Sequence, residues 1–268
     1  SKPTTAYSVT SDSLWPTTIV HLTEGTGNPN EIVKTVTGSF TSAFGGITTP
    51  PWVTDSTVGG ACLSYAGGTV SSGVPGDDKE LHFTSAGVKT SDITSGITLF
   101  AVYRHEGDNT FNGAVIVSAN GQDCGIALGG GGTPRVQFLI GASGYEPSVS
   151  PQILTANHTY GIVVTCDNAS PSNANYYVYD YTTSTRLTDK TRTIGAQLEA
   201  YVTNGTASDL IINPRYNVNT YCLRGRLGNA GYYRGIWNST QINAFFSDPW
   251  EAVRATITLS PTTVASGT

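Results

Sequence analysis

The sequence predicts an all-β fold: a jelly-roll sandwich of two antiparallel sheets with one short helix near its C-terminal end. Three observations favour this class. Charged residues make up only 12% of the 268 residues, while Gly contributes 31 and Tyr 14. Short runs rich in Val, Ile, Thr and Tyr recur between turn residues. No two of these runs are joined by a clear crossover helix, which excludes a parallel α/β sheet.

The predicted strands are short apolar runs bounded by Gly, Asn, Asp or Pro. In chain order they are residues 17–22, 97–104, 114–118, 124–128, 135–140, 159–166, 176–181, 209–212 and 222–233. The Gly run 129–132 follows a strand but precedes no helix, so we interpret it as a hairpin loop rather than a phosphate loop.

The one predicted helix covers residues 239–246, where apolar residues recur at helical spacing. Asn238 or Ser239 can cap its first turn, and Asp248-Pro249 ends it. We assign residues 1–254 to a single domain. Residues 255–268 are rich in Thr, Ser and Ala and are interpreted as a linker or as the first strand of a following module.

Charge and composition exclude several function classes. The formal net charge is −5 and the 14 Lys and Arg residues are scattered, so we expect no nucleic-acid partner. No apolar run approaches the ~18 residues of a membrane span. The four cysteines, Cys62, Cys124, Cys166 and Cys222, lack the close spacing of a zinc or redox motif. We expect them to be buried thiols on strands, with disulfides as the alternative.

Three segments carry a resemblance to a known family: residues 19–38, Pro51-Trp52 with residues 58–67, and residues 226–250. Together they resemble the laminin-G-like branch of the concanavalin A-like lectin/glucanase superfamily, in the form common in bacterial and phage modular proteins. Residues 97–104 are similar to the central strand of that superfamily. The resemblance implies a jelly roll in which Trp52 and Trp250 are packing residues, and it leaves the function to be argued from the site.

Enzymes of this superfamily that cleave β-glucans carry a Glu-x-Asp-x-x-Glu cluster, which places its carboxylates on one face of a strand. The nearest acidic groups in this chain are residues 77–80 and Glu106-Gly107-Asp108, and we interpret both as solvated turns. No nucleophile motif is present. We therefore expect a protein that is not an enzyme.

A saccharide site combines an aromatic platform with polar side chains beside it. Such combinations occur at the end of the central strand, in the Gly-rich loop 141–147, and at a turn position where the family carries small residues. The candidate carbohydrate-binding residues are Tyr103, Arg104, His105, Tyr145, Glu146 and Trp237. Because side chains alternate along a strand, Arg104 points away from the face that Tyr103 and His105 share. If that shared face is the core, Arg104 is the exposed candidate.

Metal ligands are sparse. Asp108 with Asn109, or Asp77 with Asp78, could supply oxygen ligands to calcium, and Asp108 and Asn109 are our candidate metal residues. The four histidines share no metal-binding spacing. We expect no cofactor other than calcium.

The leading interpretation is a non-catalytic recognition module that binds a polysaccharide or a cell-surface glycan. It would belong, with further modules, to a larger protein that is extracellular, on the cell surface or on a virion. The first alternative is a structural or adhesive domain of a phage tail or cell-surface protein without a saccharide site. The second is a glycan-cleaving enzyme with an unusual carboxylate arrangement.

Overall fold

The protein is a two-layered β-sandwich, as the sequence predicts. The computed structural model describes residues 18–21, 30–31, 36–41, 52–69, 80–107, 114–119, 124–129, 133–141, 143–147, 149–202, 206, 208–212 and 221–250. Within this part of the chain every strand pairing is antiparallel. The predicted terminal segment, residues 255–268, lies outside the described residues.

The strands and the one α-helix follow one another in chain order. They are β1 (Thr18–His21), β2 (Asn30–Glu31), β3 (Val36–Thr37), β4 (Ser39–Thr41), β5 (Trp52–Asp55), β6 (Gly60–Thr69), β7 (Glu80–Phe83), β8 (Ile97–His105), β9 (Ala114–Ser118), β10 (Cys124–Gly129), β11 (Arg135–Ile140), β12 (Ser143–Tyr145), β13 (Thr159–Cys166), β14 (Asn173–Asp180), β15 (Thr185–Arg186), β16 (Lys190–Thr193), β17 (Leu210–Ile212), β18 (Tyr221–Arg234) and α1 (Ser239–Ser247).

Two sheets divide these strands. The larger sheet has the order β15-β14-β13-β8-β18-β1-β2-β3, with β16 paired to β14, β6 to β18 and β5 to β6. The smaller sheet has the order β12-β11-β10-β9-β17-β7-β4. Strand β18 is long enough to serve two neighbours on one side, because its first half pairs with β6 and its second half pairs with β1.

The main core lies between the two sheets, and alternation along β8 shows how it is built. Ile97, Leu99, Ala101 and Tyr103 point into this core and are fully buried. The residues between them point to the opposite side of the larger sheet, which we call its outer face. Phe100 and Val102 lie on that outer face and are also buried, each only 1% exposed. Strand β8 is therefore apolar on both faces, as in sheets that are covered on two sides.

Helix α1 covers part of the outer face. Ile242, Phe245 and Phe246 form its apolar side and pack with Phe100 and Val163 in a second buried cluster. Asn238 caps the helix: its side chain accepts from the backbone N–H of Gln241, whose side chain accepts from Asn238 in return. This reciprocal arrangement satisfies backbone donors that the first turn leaves free. The described part of the chain contains no helix long and apolar enough to cross a membrane.

The strand predictions hold closely where the structure describes the chain. Residues 114–118, 135–140 and 159–166 have the predicted bounds, and the helix extends one residue beyond its prediction. Cys62, Cys124 and Cys166 are buried thiols, as expected. The side chain of Cys222 lies outside the described residues. The acidic segment 77–80 was predicted as a turn, but its Glu80 begins β7 and bonds His82 at 2.9 Å.

Candidate functional site

A cavity of about 590 Å³ opens on the outer face of the larger sheet, next to the C-terminal end of α1. We call it the Val102 pocket, since Val102 of β8 forms its floor. Tyr181, Ser247, Pro249 and Trp250 border it on the helix side, and residues 54–60 border it on the other. Its volume falls within the roughly 300–1,000 Å³ of small-molecule sites.

The floor of the Val102 pocket is low because the strands on both sides of Val102 carry glycine. Gly161 of β13 pairs directly with Val102. On the other side the register of β18 shifts between Leu227 and Asn229, and Gly228 is the extra residue of this bulge. Neither glycine adds a side chain to the sheet surface.

Two aromatic side chains lie over these glycines. A Cβ at position 161 would come within 2.8 Å of the Tyr181 hydroxyl, and a Cβ at position 228 within 3.0 Å of the Trp250 ring. The Tyr181 hydroxyl also donates to the backbone carbonyl of Phe245 at 3.5 Å, which ties this ring to α1. The absence of a Cβ thus lets both rings approach the sheet, where they become the walls of the pocket.

Trp250 is held by the turn that ends the helix. Its backbone N–H donates to Asp248 Oδ1 at 3.2 Å. The preceding carbonyl, that of Pro249, accepts from Asn229 Nδ2 at 3.1 Å. Asn229 is fully buried beside the Gly228 bulge, so the same irregularity that lowers the floor also anchors the Trp250 wall.

The opposite wall is a short turn that presents hydroxyl groups. Thr54, Ser56 and Thr57 line the pocket here, and Ser56 and Thr57 are exposed. The turn is a single 3-10 helix, Ser56–Val58, whose N-terminal cap is Asp55. Asp55 Oδ1 accepts from both the backbone N–H and the hydroxyl of Thr57, at 2.8 and 2.7 Å. The hydroxyl wall is therefore fixed in position by one carboxylate.

An ionic cluster adjoins this wall. Arg226 donates to Asp55 Oδ2 at 2.7 Å through one terminal nitrogen, and its Nε lies 2.6 Å from Glu106 Oε1 in an ion pair. Arg104 Nε lies 3.7 Å from both carboxylates, and its terminal nitrogen donates to Thr57 Oγ1 at 3.3 Å. We call these four charged residues, Asp55, Arg104, Glu106 and Arg226, the Arg104 cluster. It connects to the Val102 pocket through Thr57.

Electrostatics keep Asp55 ionised. Burial by itself would raise the pKa of this carboxyl group, but the hydrogen bonds from Thr57 and the guanidinium groups of Arg226 and Arg104 outweigh it. The net result is a pKa below the usual value. A carboxylate held in this way serves as an anchor for donors rather than as a proton donor.

The Arg104 cluster also brings two carboxylates together, which the sequence did not predict. Asp55 ends β5 and Glu106 directly follows β8, and each lies 3.7 Å from the same Arg104 nitrogen. The interpretation of Glu106 as part of a solvated turn was wrong, because its side chain is 24% exposed and ion-paired. Both carboxylates face guanidinium groups, whereas the general acid of a glycosidase lies in surroundings that raise its pKa.

Of the predicted residues at the end of β8, Arg104 alone reaches the outer face. Tyr103 is fully buried in the main core and its hydroxyl donates to the backbone carbonyl of Arg224. His105 is 1% exposed and lies 3.4 Å from the same hydroxyl. Their predicted saccharide contacts are corrected to packing, because the face that they share is the core. Arg104 points to the outer face beside the Val102 pocket, as alternation predicts, but its side chain is only 20% exposed.

Tyr145 and Glu146 lie elsewhere, at the edge of the smaller sheet. Tyr145 ends β12, packs against the main core while remaining partly exposed, and accepts from the Tyr176 hydroxyl at 2.6 Å through its backbone carbonyl. Glu146 pairs with Arg135 at 3.1 Å. This segment and Arg104 belong to different sheets, so the structure does not bring the two groups of candidate residues together.

Trp237 is a packing residue. It is 2% exposed and stacks on Phe100, with ring centroids 5.4 Å apart and ring planes inclined by 16°. Its predicted role on a saccharide surface is corrected for this reason. The turn position indicated exposure, but α1 returns over the sheet and encloses the ring.

The candidate metal residues Asp108 and Asn109 lie outside the described residues. Among the residues that the structure does describe, no group of three or more His, Cys, Asp or Glu side chains could hold a metal ion.

Sequence reasoning missed most of the Val102 pocket. Trp250 was assigned to packing, and it is indeed only 8% exposed, yet it also walls the cavity. Tyr181 and the hydroxyls of Ser56 and Thr57 were not singled out. The turn signal Gly59-Gly60 after three hydroxyl residues was visible in the sequence, but its place opposite Trp250 depends on pairings between distant strands.

Comparison with known proteins shows a likeness of fold. No protein-family model and no protein of curated function matches the sequence. The binding domain of botulinum neurotoxin DC, solved in complex with rat synaptotagmin II, aligns with a TM-score of 0.51 and 10% identity, over 88% of this chain and 52% of that chain.

Two further solved structures align less well. A sialidase of Trypanosoma rangeli in complex with sialic acid has a TM-score of 0.47 and 13% identity, over 88% of this chain and 33% of that chain. Tailspike protein 2 from a bacteriophage of Escherichia coli O157:H7 has a TM-score of 0.48 and 16% identity, over 81% and 28%. The chain thus spans at most about half the length of these structures, and identities this low show the β-sandwich fold alone.

Proposed function

We propose that the protein is a glycan-recognition module and that the Val102 pocket is its saccharide site. The observation that carries the proposal is the composition of the two walls. Trp250 and Tyr181 provide aromatic surface above an aliphatic floor, and three hydroxyl side chains face them. A sugar ring has the matching character, with apolar C–H faces and hydroxyl groups around its edge.

The polar wall supports this proposal because it is held rigidly. Thr57 is fixed by two hydrogen bonds to Asp55, and Arg104 is fixed beside it by the ionic cluster. A site whose polar groups are already in place loses little conformational entropy when a ligand binds. The aromatic wall is equally fixed, by Asn229 on one side and the α1 backbone on the other.

We further propose that the site binds without cleaving. The support is the pairing of both nearby carboxylates with guanidinium groups, which stabilises the charged form of Asp55. Incubation with a panel of β-glucans and bacterial polysaccharides is expected to release no reducing ends. Release that disappears in a Glu106→Gln variant would contradict this part of the proposal.

We propose that the chain belongs to the concanavalin A-like superfamily. We also propose that it is part of an extracellular, cell-surface or virion protein with further modules. The residue patterns around Trp52 and in 226–250 support the superfamily. The low content of charged residues and the proposed glycan ligand support the setting.

A glycan array followed by calorimetry tests the binding function. The wild-type chain is expected to bind at least one saccharide saturably. Trp250 is largely buried, so the decisive variant changes an exposed wall residue instead: Ser56→Tyr fills the pocket and should weaken binding by about tenfold or more. Ser143→Tyr is the matched control, because Ser143 is exposed beside Tyr145 on the smaller sheet.

Three outcomes decide the matter. Loss of binding in Ser56→Tyr with unchanged binding in Ser143→Tyr supports the Val102 pocket. Loss in Ser143→Tyr alone would return the site to the segment around Tyr145 that the sequence indicated. An array on which no saccharide binds would contradict glycan recognition and favour a structural or adhesive domain.

A further inference from the structure

A second, smaller cavity lies on the other side of the end of α1. It has a volume of about 180 Å³ and is lined by Tyr179, Arg186, Asn243, Phe246 and Ser247. We call it the Asn243 cavity. Ser247 lines both this cavity and the Val102 pocket, so the last residue of the helix separates them by a single small side chain.

Aromatic surface continues from one cavity to the other. The ring of Tyr181, which walls the Val102 pocket, lies 5.1 Å from the ring of Tyr179. Tyr179 in turn stacks on Phe246, with centroids 5.7 Å apart and planes inclined by 27°. Phe246 is only 5% exposed, so a chain molecule leaving the Val102 pocket past Ser247 would meet the partly exposed ring of Tyr179.

The polar side of the Asn243 cavity is rigid. Arg186 donates to both oxygens of Asp189, at 3.0 and 2.8 Å, and to Asn243 Oδ1 at 2.6 Å. Its guanidinium also lies over the ring of Phe246, 5.5 Å from the centroid. Since the oxygen of the Asn243 amide accepts from Arg186, its NH₂ group is the part left to donate to a ligand.

Charge and size define what the Asn243 cavity can take. The charge of Arg186 is matched by Asp189, so the cavity suits neutral hydroxyl groups and does not require an anion. Its volume is well below the roughly 300 Å³ at which small-molecule pockets begin. It is therefore too small to hold a ligand alone, but it can hold the continuation of a ligand that is seated in the larger pocket.

From these observations, and resting on the proposed saccharide function, we propose that the ligand is an oligosaccharide of at least two sugar units. One unit occupies the Val102 pocket. The next crosses Ser247 and lies against the partly exposed ring of Tyr179, where the Asn243 amide donates to one of its hydroxyl groups. The helix end thus acts as the divider between two adjacent subsites.

Calorimetric titration of the full chain with matched series tests this proposal. The probes are glucose, galactose, mannose and N-acetylglucosamine, each with the disaccharide and trisaccharide built from it. In the series that binds, the disaccharide is expected to bind about tenfold more tightly than the monosaccharide. Asn243→Ala should remove most of that gain and leave monosaccharide affinity unchanged.

The matched control is Thr240→Ala, an exposed residue of the same helix that lines neither cavity. Alanine is favourable in a helix, so both variants should fold. Equal affinity for monosaccharide and disaccharide, in a protein whose binding is lost in Ser56→Tyr, would overturn the second subsite and leave the proposed function standing. Absence of binding in all four series and on the array would overturn both.

Discussion

On the outer face of the larger sheet, two neighbouring residue pairs of β8 and β13 differ in how they are covered. We call the position of Phe100 the closed end and the position of Val102 the open end. At the closed end, Phe100 of β8 pairs with Val163 of β13, and Trp237 and Phe245 cover them. The rings there lie 5.4 and 5.5 Å from Phe100. At the open end, the next rung on this face pairs Val102 with Gly161.

A cavity on this sandwich therefore forms where the sheet surface carries glycine and where the helix ends. Where two large residues pair, the helix packs directly on the sheet. Where Val102 is flanked by Gly161 and by the bulge at Gly228, only the last turn of the helix reaches the sheet, through Phe246, and Trp250 and Tyr181 stand at the sides. The same surface therefore provides a core at one end and a binding site at the other.

The largest effect is expected from opening the closed end. Trp237→Ala removes a ring that is 2% exposed and stacked on Phe100, so we expect a loss of about 3–5 kcal/mol in the free energy of unfolding. Urea denaturation measures this loss. A loss below about 1 kcal/mol would show that Trp237 is not part of the buried cluster.

A smaller loss of stability is expected when a methyl group is added to the sheet surface at the open end. In Gly161→Ala the new methyl group meets the Tyr181 hydroxyl at 2.8 Å and Phe246 at 3.1 Å, so both rings must move and the wall of the Val102 pocket shifts. We expect about 1–3 kcal/mol of destabilisation and weaker saccharide binding.

Gly195→Ala is the control for that substitution, because a Cβ at position 195 meets no atom within 4 Å. It should change the unfolding free energy by less than about 0.5 kcal/mol. If Gly161→Ala behaved like this control in both stability and binding, the packing of Tyr181 over Gly161 would be contradicted.

The smallest expected effect is on the pH dependence of the unfolding free energy, through Asp55 beside the Val102 pocket. Because the pKa of Asp55 is lowered in the folded protein, its carboxylate contributes stability fully above its ordinary pKa of 3.8, and this contribution is lost as the pH falls through the folded value. The unfolding free energy of the wild type should therefore fall below about pH 4. Asp55→Asn should show a shallower fall, and an equal slope in both proteins would contradict the anchoring role of Asp55.

Asp180 also makes the unfolding free energy depend on pH, so Asp55→Asn removes only part of that dependence. Burial would raise its pKa, but hydrogen bonds from His158, Thr183 and Thr182 outweigh burial and lower it. It therefore contributes stability in the same acid range, through hydrogen bonds that do not involve Asp55. Some acid sensitivity should remain in Asp55→Asn for this reason.

The fold was predictable because strands and core depend on local patterns. The runs 135–140 and 159–166 were located from β-branched and apolar residues between turn signals. The helix cap was predicted as Asn238 or Ser239, and the structure shows that it is Asn238. The alternation of side chains along a strand also predicted that Tyr103 and Arg104 point to opposite faces of the sheet. It did not reveal which face was the core, because β8 is apolar on both sides.

The candidate site was much less predictable because it depends on register. Val102 and Gly161 are 59 positions apart in the chain, and their pairing is what places a glycine beside Val102 on the outer face. Asp55 at the end of β5 and Glu106 after β8 are both paired with Arg226, which comes from β18. Tyr145 was expected to be a loop residue, whereas it ends a strand and packs on the core.

A saccharide that binds at the open end of the outer face changes the surroundings of Trp250 and not those of Trp237. The indole N–H signals in an NMR spectrum of the protein report on both residues. The chain has four tryptophans, so the signals are few, and Trp250→Phe and Trp237→Phe assign the two that matter. The protein is titrated with the disaccharide that binds most tightly among the four series. We expect the Trp250 signal to shift saturably while the Trp237 signal stays in place. Saturable binding that shifts Trp237, or that leaves Trp250 unchanged, would contradict this expectation.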